Sequence, residues 1–340
     1  MIKPLVSLAA ALALAAPALA QEEPKGEPSP NEIVAAAPQS DWVAIPQEDL
    51  LVMTLAPDVE GNERKVVIQL MPAPFSQGWV SNIRTLARAG WYDNISVNRV
   101  QDNYVVQWGD PNYDNPEATG EPKLLPEGLQ VMEESGYTVD TQTMFDALGL
   151  ADKPLRRLLN RDPYGLGSFA LGWPVGLREA VGPDGDLADD LGSPLATGFA
   201  AAHCYGMVGV GRGYSPDTGS GAELYTVIGH APRHLDRNIA LVGRVIEGME
   251  HLSSLPRGKG DLGFYAEDEF DKRTPILTVR VASDLPAVEQ PKFEYLSTES
   301  EPFARYADAR ANRRDPFFIV PAGGADICNI PVPVRRAASQ

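Results

Sequence analysis

Basic side chains are scarce in this 340-residue chain: 29 lysines and arginines stand against 46 aspartates and glutamates, a formal net charge of −17 at pH 7. That deficit argues against binding DNA, RNA or an anionic lipid surface. Long apolar runs are also lacking. Beyond residue 20 there is no stretch of about 18 uninterrupted apolar residues, so nothing later in the chain is expected to cross a bilayer. Four histidines and two cysteines are the only nitrogen and sulfur side chains of the kind that hold zinc. With 44% hydrophobic and 22% charged residues, the composition is that of a globular protein. Its length allows a large core in one big domain or two ordinary ones.

The first 20 residues, MIKPLVSLAAALALAAPALA, place Lys3 before an apolar run and end in small residues ahead of Gln21. This is the pattern of a secretory leader rather than a membrane span, and it predicts a periplasmic or otherwise exported protein. Losing Lys3 would leave 28 basic against 46 acidic side chains, a net charge of −18. In an oxidising compartment Cys204 and Cys328 become candidates for a disulfide, the alternative being two buried free thiols.

Texture divides the rest. Residues 21–41 are rich in Pro, Glu and Ala without periodicity, and are expected to be a flexible linker. LLVMTL (50–55) and KVVIQLM (65–71) read as strands around a polar turn. SQGWVSNIRTLARAG (76–90) puts Trp79, Ile83, Leu86 and Ala87 on one helical face, with Gly90 placed to end it. Ile95–Val100 and Tyr104–Trp108 read as two further strands. From about 112 to 202 the chain turns Pro-, Gly- and acid-rich with short helical runs, TQTMFDALGL and PLRRLLN, and reads as an irregular or helical insertion. Strand patterns return at 205–211, 222–229, 239–246 and 275–282, with GMEHLSSL (248–255) as a short helix. Many short strands with two core helices predict a mainly β fold, a closed antiparallel barrel capped by two helices. The expected domain runs over 42–285, followed by a C-terminal extension, 286–340.

One strand raises a question of its own, because ISVNRVQDNYVVQWGDP (95–111) carries Arg99 in the middle of an alternating apolar pattern. The block NIRTLARAGWYDNISVNRVQDNYVVQWGDP resembles the signature region of the cyclophilins, which runs approximately N-F-x-x-L-x-x-x-G-x-Y-D/N-x-x-x-F-H-R-V-x-x-x-F-x-x-Q-G-G-D. GMVGVGRGYSPDTGSGAELYTVIGHAPRHLDRNIALVGRVIEGME is similar to the family's second block, ending in its L-D-G-x-x-x-x-F-G-x-V-x-x-G-M pattern. With flanking strands the resemblance spans roughly 46–111 and 203–282, leaving the insertion and the last 55 or so residues without counterpart.

The resemblance implies a peptidyl-prolyl cis-trans isomerase assisting the folding of exported proteins, with proline-containing unfolded or partly folded polypeptides as partners and no cofactor. It puts Arg99 on the catalytic arginine and Gln107 on the glutamine that holds it. Tyr104, Val105, Tyr225 and Leu235 fall on the lining of the proline pocket, and Gly211, Arg212, Glu223 and His234 on the substrate-binding rim. Departures surround this set: Asn98, Trp108, Arg212, Glu223, His234 and Ile239 stand where the family usually has His, Gly, Asn, Gln, Trp and His. A carboxylate at 223 could pair with Arg99 and compete with substrate. A catalytically weak peptide-binding module on the same fold is the alternative.

Other motifs are weaker. DTGSG (217–221) resembles an aspartic-protease tripeptide, but it follows GYSP rather than an apolar strand and has no second copy to supply the partner carboxylate. A polar turn explains it as well. His230 and His234 are four apart, with Pro232 between them against the helix that shared metal ligation would need, and His203 adjoins Cys204. GVGRG (209–213) matches neither the dinucleotide nor the P-loop spacing. Near the C-terminus, ARYADARANRRDPFF reads as a helix running into a loop, with Phe317 and Phe318 expected against the barrel and Arg310, Arg313 and Arg314 as a solvated helix end.

Overall fold

The computed structural model describes residues 26–113, 118–149, 160–162, 164–178 and 198–337. In chain order, α1 (Pro30–Ala35), β1 (Trp42–Ala44), β2 (Leu50–Leu55) and β3 (Arg64–Leu70) lead to α2 (Gln77–Arg88), β4 (Ile95–Val100) and β5 (Val105–Gly109). The insertion holds α3 (Thr141–Ala147), β6 (Asn160–Asp162), β7 (Gly165–Ala170), β8 (Trp173–Arg178) and β9 (Gly198–Ala201). Then come β10 (Met207–Val210), β11 (Leu224–Val227), β12 (Leu241–Glu247), α4 (Glu250–Ser253) and β13 (Pro275–Val281), and finally β14 (Phe293–Leu296), α5 (Glu301–Ala311) and β15 (Val334–Arg336).

Eight antiparallel strands close a barrel in the order β10-β11-β5-β4-β13-β2-β3-β12, with β12 returning to β10. Strand alternation decides what fills it. On β5, Val106 and Trp108 point into the main core while Val105 belongs to a separate apolar cluster with Tyr225 and Val227. Helix α2 presents Trp79, Val80, Ile83, Leu86 and Ala87 to the core, all at most 2% exposed. Its end is set by Gly90, which takes the positive φ of a helix stop. The mainly β barrel and its two capping helices, α2 and α4, are thus as the sequence indicates.

Three expectations need correction. The insertion is not merely irregular or helical. Its β6, β7, β8 and β9 form a four-stranded antiparallel sheet. Ala170 pairs with Trp173 across a two-residue turn, Leu171–Gly172, in which both residues have positive φ. Leucine rarely takes that conformation, so the pattern did not read as a hairpin. Of the two helical runs, TQTMFDALGL forms α3, its Asp140 side chain accepting the Thr143 N–H at 2.9 Å. PLRRLLN lies outside the described residues except for Asn160, which opens β6.

The linker is the second correction. Residues 21–25 lie outside the described residues, but α1 starts on a capping box between Ser29 and Glu32 and buries Ile33. Ile33 packs with Trp42, Leu296, Phe303, Tyr306, Ile330 and Val332 in a second small core. Strand β1 pairs with β14, and β14 with β15, so the N-terminal segment and the C-terminal extension build one three-stranded sheet beside the barrel. The third concerns Phe317 and Phe318, which are 84% and 38% exposed and meet each other edge to face rather than packing on the barrel. The nearby arginines are paired locally, Arg313 with Asp315 and Arg314 with Asp308. Cys204 and Cys328 form a disulfide across 124 residues of chain, stapling the extension to the segment that enters β10.

Candidate active site

A bulge aims Arg99. Across β4 and β5, Val97 is opposite Trp108 and Arg99 is opposite Gln107, so Asn98 is the extra residue and the alternation shifts by one. Buried Asn98 anchors the bulge, its amide donating to the Gly109 carbonyl at 3.1 Å and its carbonyl accepting from Ser96 Oγ at 2.7 Å. Arg99 therefore leaves the barrel on the same outer face as Gln107 and, across the next strand pair, Tyr225.

The guanidinium is held from three sides. Nε donates to the Leu262 carbonyl at 2.7 Å, Nη1 to Gln107 Oε1 at 3.1 Å, and Nη2 to Gln101 Oε1. These bonds use three of the five N–H groups a guanidinium offers. The Tyr104 and Phe264 rings lie 5.6 and 5.5 Å from its carbon. Burial lowers its pKa from the usual arginine value, partly opposed by the Tyr104 and Tyr225 hydroxyls, but an arginine stays charged at neutral pH.

Beside it opens a cavity of about 260 Å³, lined by Arg99, Tyr104, Val105, Gln107, Gly211, Arg212, Glu223, Tyr225 and Leu235 among the residues expected from sequence. Val105 and Tyr225 form its apolar floor, backed by buried Val227, and Tyr104 and Ile239 pack on them. Gly209 makes room for that floor, since a Cβ there would come within 2.4 Å of the Tyr225 ring. At the rim, Arg212 donates to the Asn238 carbonyl at 2.8 and 3.1 Å and to the Gly213 carbonyl at 2.7 Å. Glu223 is 5% exposed and meets Gln107 Nε2 at 3.5 Å, so Gln107 stands between the carboxylate and Arg99.

His234 is not in this lining. It sits exposed on the short turn Arg233–Leu235, where Arg233 is buried and Leu235 reaches the cavity. Four lining residues come in addition to the expected set: Val210, Ile239, Leu262 and Phe264. Phe264 arrives on a loop that runs along the edge of β4, Tyr265 N donating to the Asn98 carbonyl at 3.0 Å. Leu262 has φ +56° and Gly263 φ +84°, and the Leu262–Gly263–Phe264 sequence was the only local hint of that turn.

The competing motifs find structural roles. Asp217 accepts the Gly213 and Gly219 N–H groups at 2.6 and 2.9 Å, which makes DTGSG a loop brace. His203 is fully buried against Asp236 and Tyr225, whereas His230 and His234 are exposed. Among the described residues no group of three His, Cys, Asp or Glu side chains is arranged to hold a metal ion, and no helix is long and apolar enough to cross a membrane.

The family model for cyclophilin type peptidyl-prolyl cis-trans isomerase/CLD matches residues 58–281. Among solved structures, the cyclophilin AquaCyp293 from Hirschia baltica is similar at 17% identity and a TM-score of 0.59, the match covering 88% of this chain and 97% of that one. A cyclophilin type peptidyl-prolyl cis-trans isomerase from Cryptosporidium parvum, crystallised in the presence of the dipeptide Ala-Pro, is 12% identical with a TM-score of 0.33, over 67% of this chain and 97% of that one. No curated protein matches the chain.

Proposed function

The chain belongs to the cyclophilin-type peptidyl-prolyl cis-trans isomerase family, and from that premise we propose that it isomerises prolyl bonds in unfolded or partly folded exported proteins, with Arg99 acting on the imide. The observation that carries this reading is the placement of a tethered guanidinium at the edge of a cavity with an apolar floor.

The barrier to be lowered is about 18–20 kcal/mol, because twisting an imide sacrifices its resonance. As the bond twists, its nitrogen pyramidalises and gains a lone pair. A guanidinium N–H can donate to that nitrogen or steady the carbonyl oxygen, and either contact is stronger in the twisted state than in the planar one. The bonds to Leu262, Gln107 and Gln101 fix the guanidinium before substrate arrives, so no reorganisation is needed at the moment of rotation. The floor of Val105 and Tyr225, with Leu235 at the side, grips the prolyl ring so that rotation is confined to the preceding residue. The chemistry itself calls for no nucleophile and no proton transfer.

The leader pattern of residues 1–20 and the Cys204–Cys328 disulfide support an exported, oxidising location. The test is the refolding of a denatured protein whose slow phase is prolyl isomerisation. Wild type is expected to speed that phase and Arg99→Ala to leave it near the uncatalysed rate. Binding of the unfolded chain without acceleration would favour the peptide-binding module instead.

A further inference from the structure

A buried polar chain lies behind the Tyr225 wall, and isomerisation does not use it. His203 is 0% exposed, with Nε2 at 3.0 Å from the Tyr225 hydroxyl and Nδ1 at 2.8 Å from Asp236 Oδ1. The backbone N–H of His203 donates to the same carboxylate oxygen at 2.9 Å. A carboxylate only accepts, so Nδ1 carries the proton, and in the neutral ring Nε2 is left to accept from the Tyr225 O–H. The two rings lie nearly parallel, at 13°. Beyond Asp236 the chain continues: Arg233 Nε donates to Asp236 Oδ2 at 2.5 Å, and its terminal nitrogens donate to Asp162 at 3.1 and 3.2 Å. Asp162 ends β6 of the insertion. Arg233 also lies 3.9 Å from Asp326 of the C-terminal extension, whose carboxylate accepts the backbone N–H of disulfide-bonded Cys328 at 2.8 Å.

We propose that His203 is a positioning residue of the prolyl cavity, fixing the Tyr225 ring through its hydroxyl and tying that wall, through Asp236 and Arg233, to the insertion and the extension. The same network steadies a second wall, since Arg233 and Asp236 flank the turn that delivers Leu235. Burial pushes the Asp236 carboxyl up, but the bond from His203 and the charges around it outweigh this and keep it ionised below the ordinary range. The two segments that have no counterpart in the sequence blocks of the family thus end at the wall of the site.

The consequence is kinetic and rests on the prolyl reading of the cavity. A wall that grips the prolyl ring touches planar and twisted substrate alike, so loosening it weakens binding without slowing the bound step. The test is a cycle on Ala-Pro peptide, with Kd from chemical-shift titration and KM and kcat from exchange spectroscopy. His203→Leu is expected to raise Kd and KM about fivefold to tenfold, the size of one lost hydrogen bond, with kcat held within about twofold. His203→Gln, which keeps an acceptor near the hydroxyl, should recover most of the affinity. Adding His203→Leu to Tyr225→Phe should give no further rise, because the hydroxyl through which His203 acts is gone. His203→Asn, which keeps the Asp236 bond and drops the acceptor, carries the same comparison if the leucine variant does not fold.

An equal rise in both backgrounds, or unchanged Kd in a folded variant, overturns the proposal. If wild type binds the peptide without speeding exchange, the isomerase reading falls and the Kd cycle still decides His203. If wild type does neither, both fall.

Discussion

Two of the arginines on barrel strands of this molecule, Arg99 and Arg244, have surroundings that give them opposite fates. Arg99 on β4 is half-buried beside an open cavity. Arg244 on β12 is covered. It donates to Gln69 Oε1 and to the Gly172 carbonyl at the tip of the β7–β8 hairpin, both at 2.9 Å, with the Trp173 ring 4.4 Å from its carbon. Burial depresses its pKa to about 10, whereas Arg99, with one side toward the cavity, shows a smaller lowering from the same cause. A strand arginine is therefore a site or a staple according to what lies over it. Here the insertion decides by closing over β12 and leaving the outer face of β4, β5 and β11 open.

The sharpest way to break this comparison is to truncate each arginine in turn. Arg99→Ala is expected to lower kcat/KM by about 10²–10³, the scale for removing one donor that acts only on the activated state, while shifting the denaturation midpoint little. Arg244→Ala should do the reverse, costing about 2–4 kcal/mol of stability by stranding Gln69 and Gly172 and losing the ring contact, with kcat/KM per folded molecule within about twofold. Denaturant melts and peptide kinetics on both variants read the two effects separately. Similar activity losses in both would erase the distinction.

The disulfide tests the cover more gently. Cys328→Ser opens a link spanning 124 residues and should cost about 2–4 kcal/mol, seen as a lower midpoint in denaturant. Acid should act next. Asp236 has a folded pKa below its ordinary 3.8, so its contribution is present above that value and is lost as the pH falls through the lower one. Wild type should therefore lose stability below about pH 4 more steeply than Asp236→Asn, measured as denaturation midpoint against pH. The smallest effect is expected at the rim. Because Gln107 lies between Glu223 and Arg99, Glu223→Gln should change turnover by less than about threefold. A larger gain would show that the carboxylate competes with substrate for the guanidinium.

Legibility in the sequence followed the range of the contacts. Arg99, Tyr104, Val105 and Gln107 lie within nine residues on one hairpin, inside the first block of the family resemblance, which is what marked them as a site. Tyr225 and Leu235 followed from a second ordered block. Phe264 and Leu262 were not legible, because they reach Arg99 from a loop about 160 residues away that carries no periodic pattern. His234 was misplaced by the tight Arg233–Leu235 turn, where neighbouring side chains diverge. His203 carried no role in the sequence beyond adjoining Cys204, because its partners, Tyr225 and Asp236, are 22 and 33 residues away. The helix of the supposed linker depends on burying Ile33 against α5, a contact that only the folded extension supplies.

The most direct measurement is exchange spectroscopy on a short Ala-Pro peptide with wild type and Arg99→Ala at equal concentration. Faster cis-trans exchange that collapses in the variant is the result expected from an arginine acting on the twisting imide. Exchange equally fast in both proteins, or peptide binding with no acceleration in either, would contradict it.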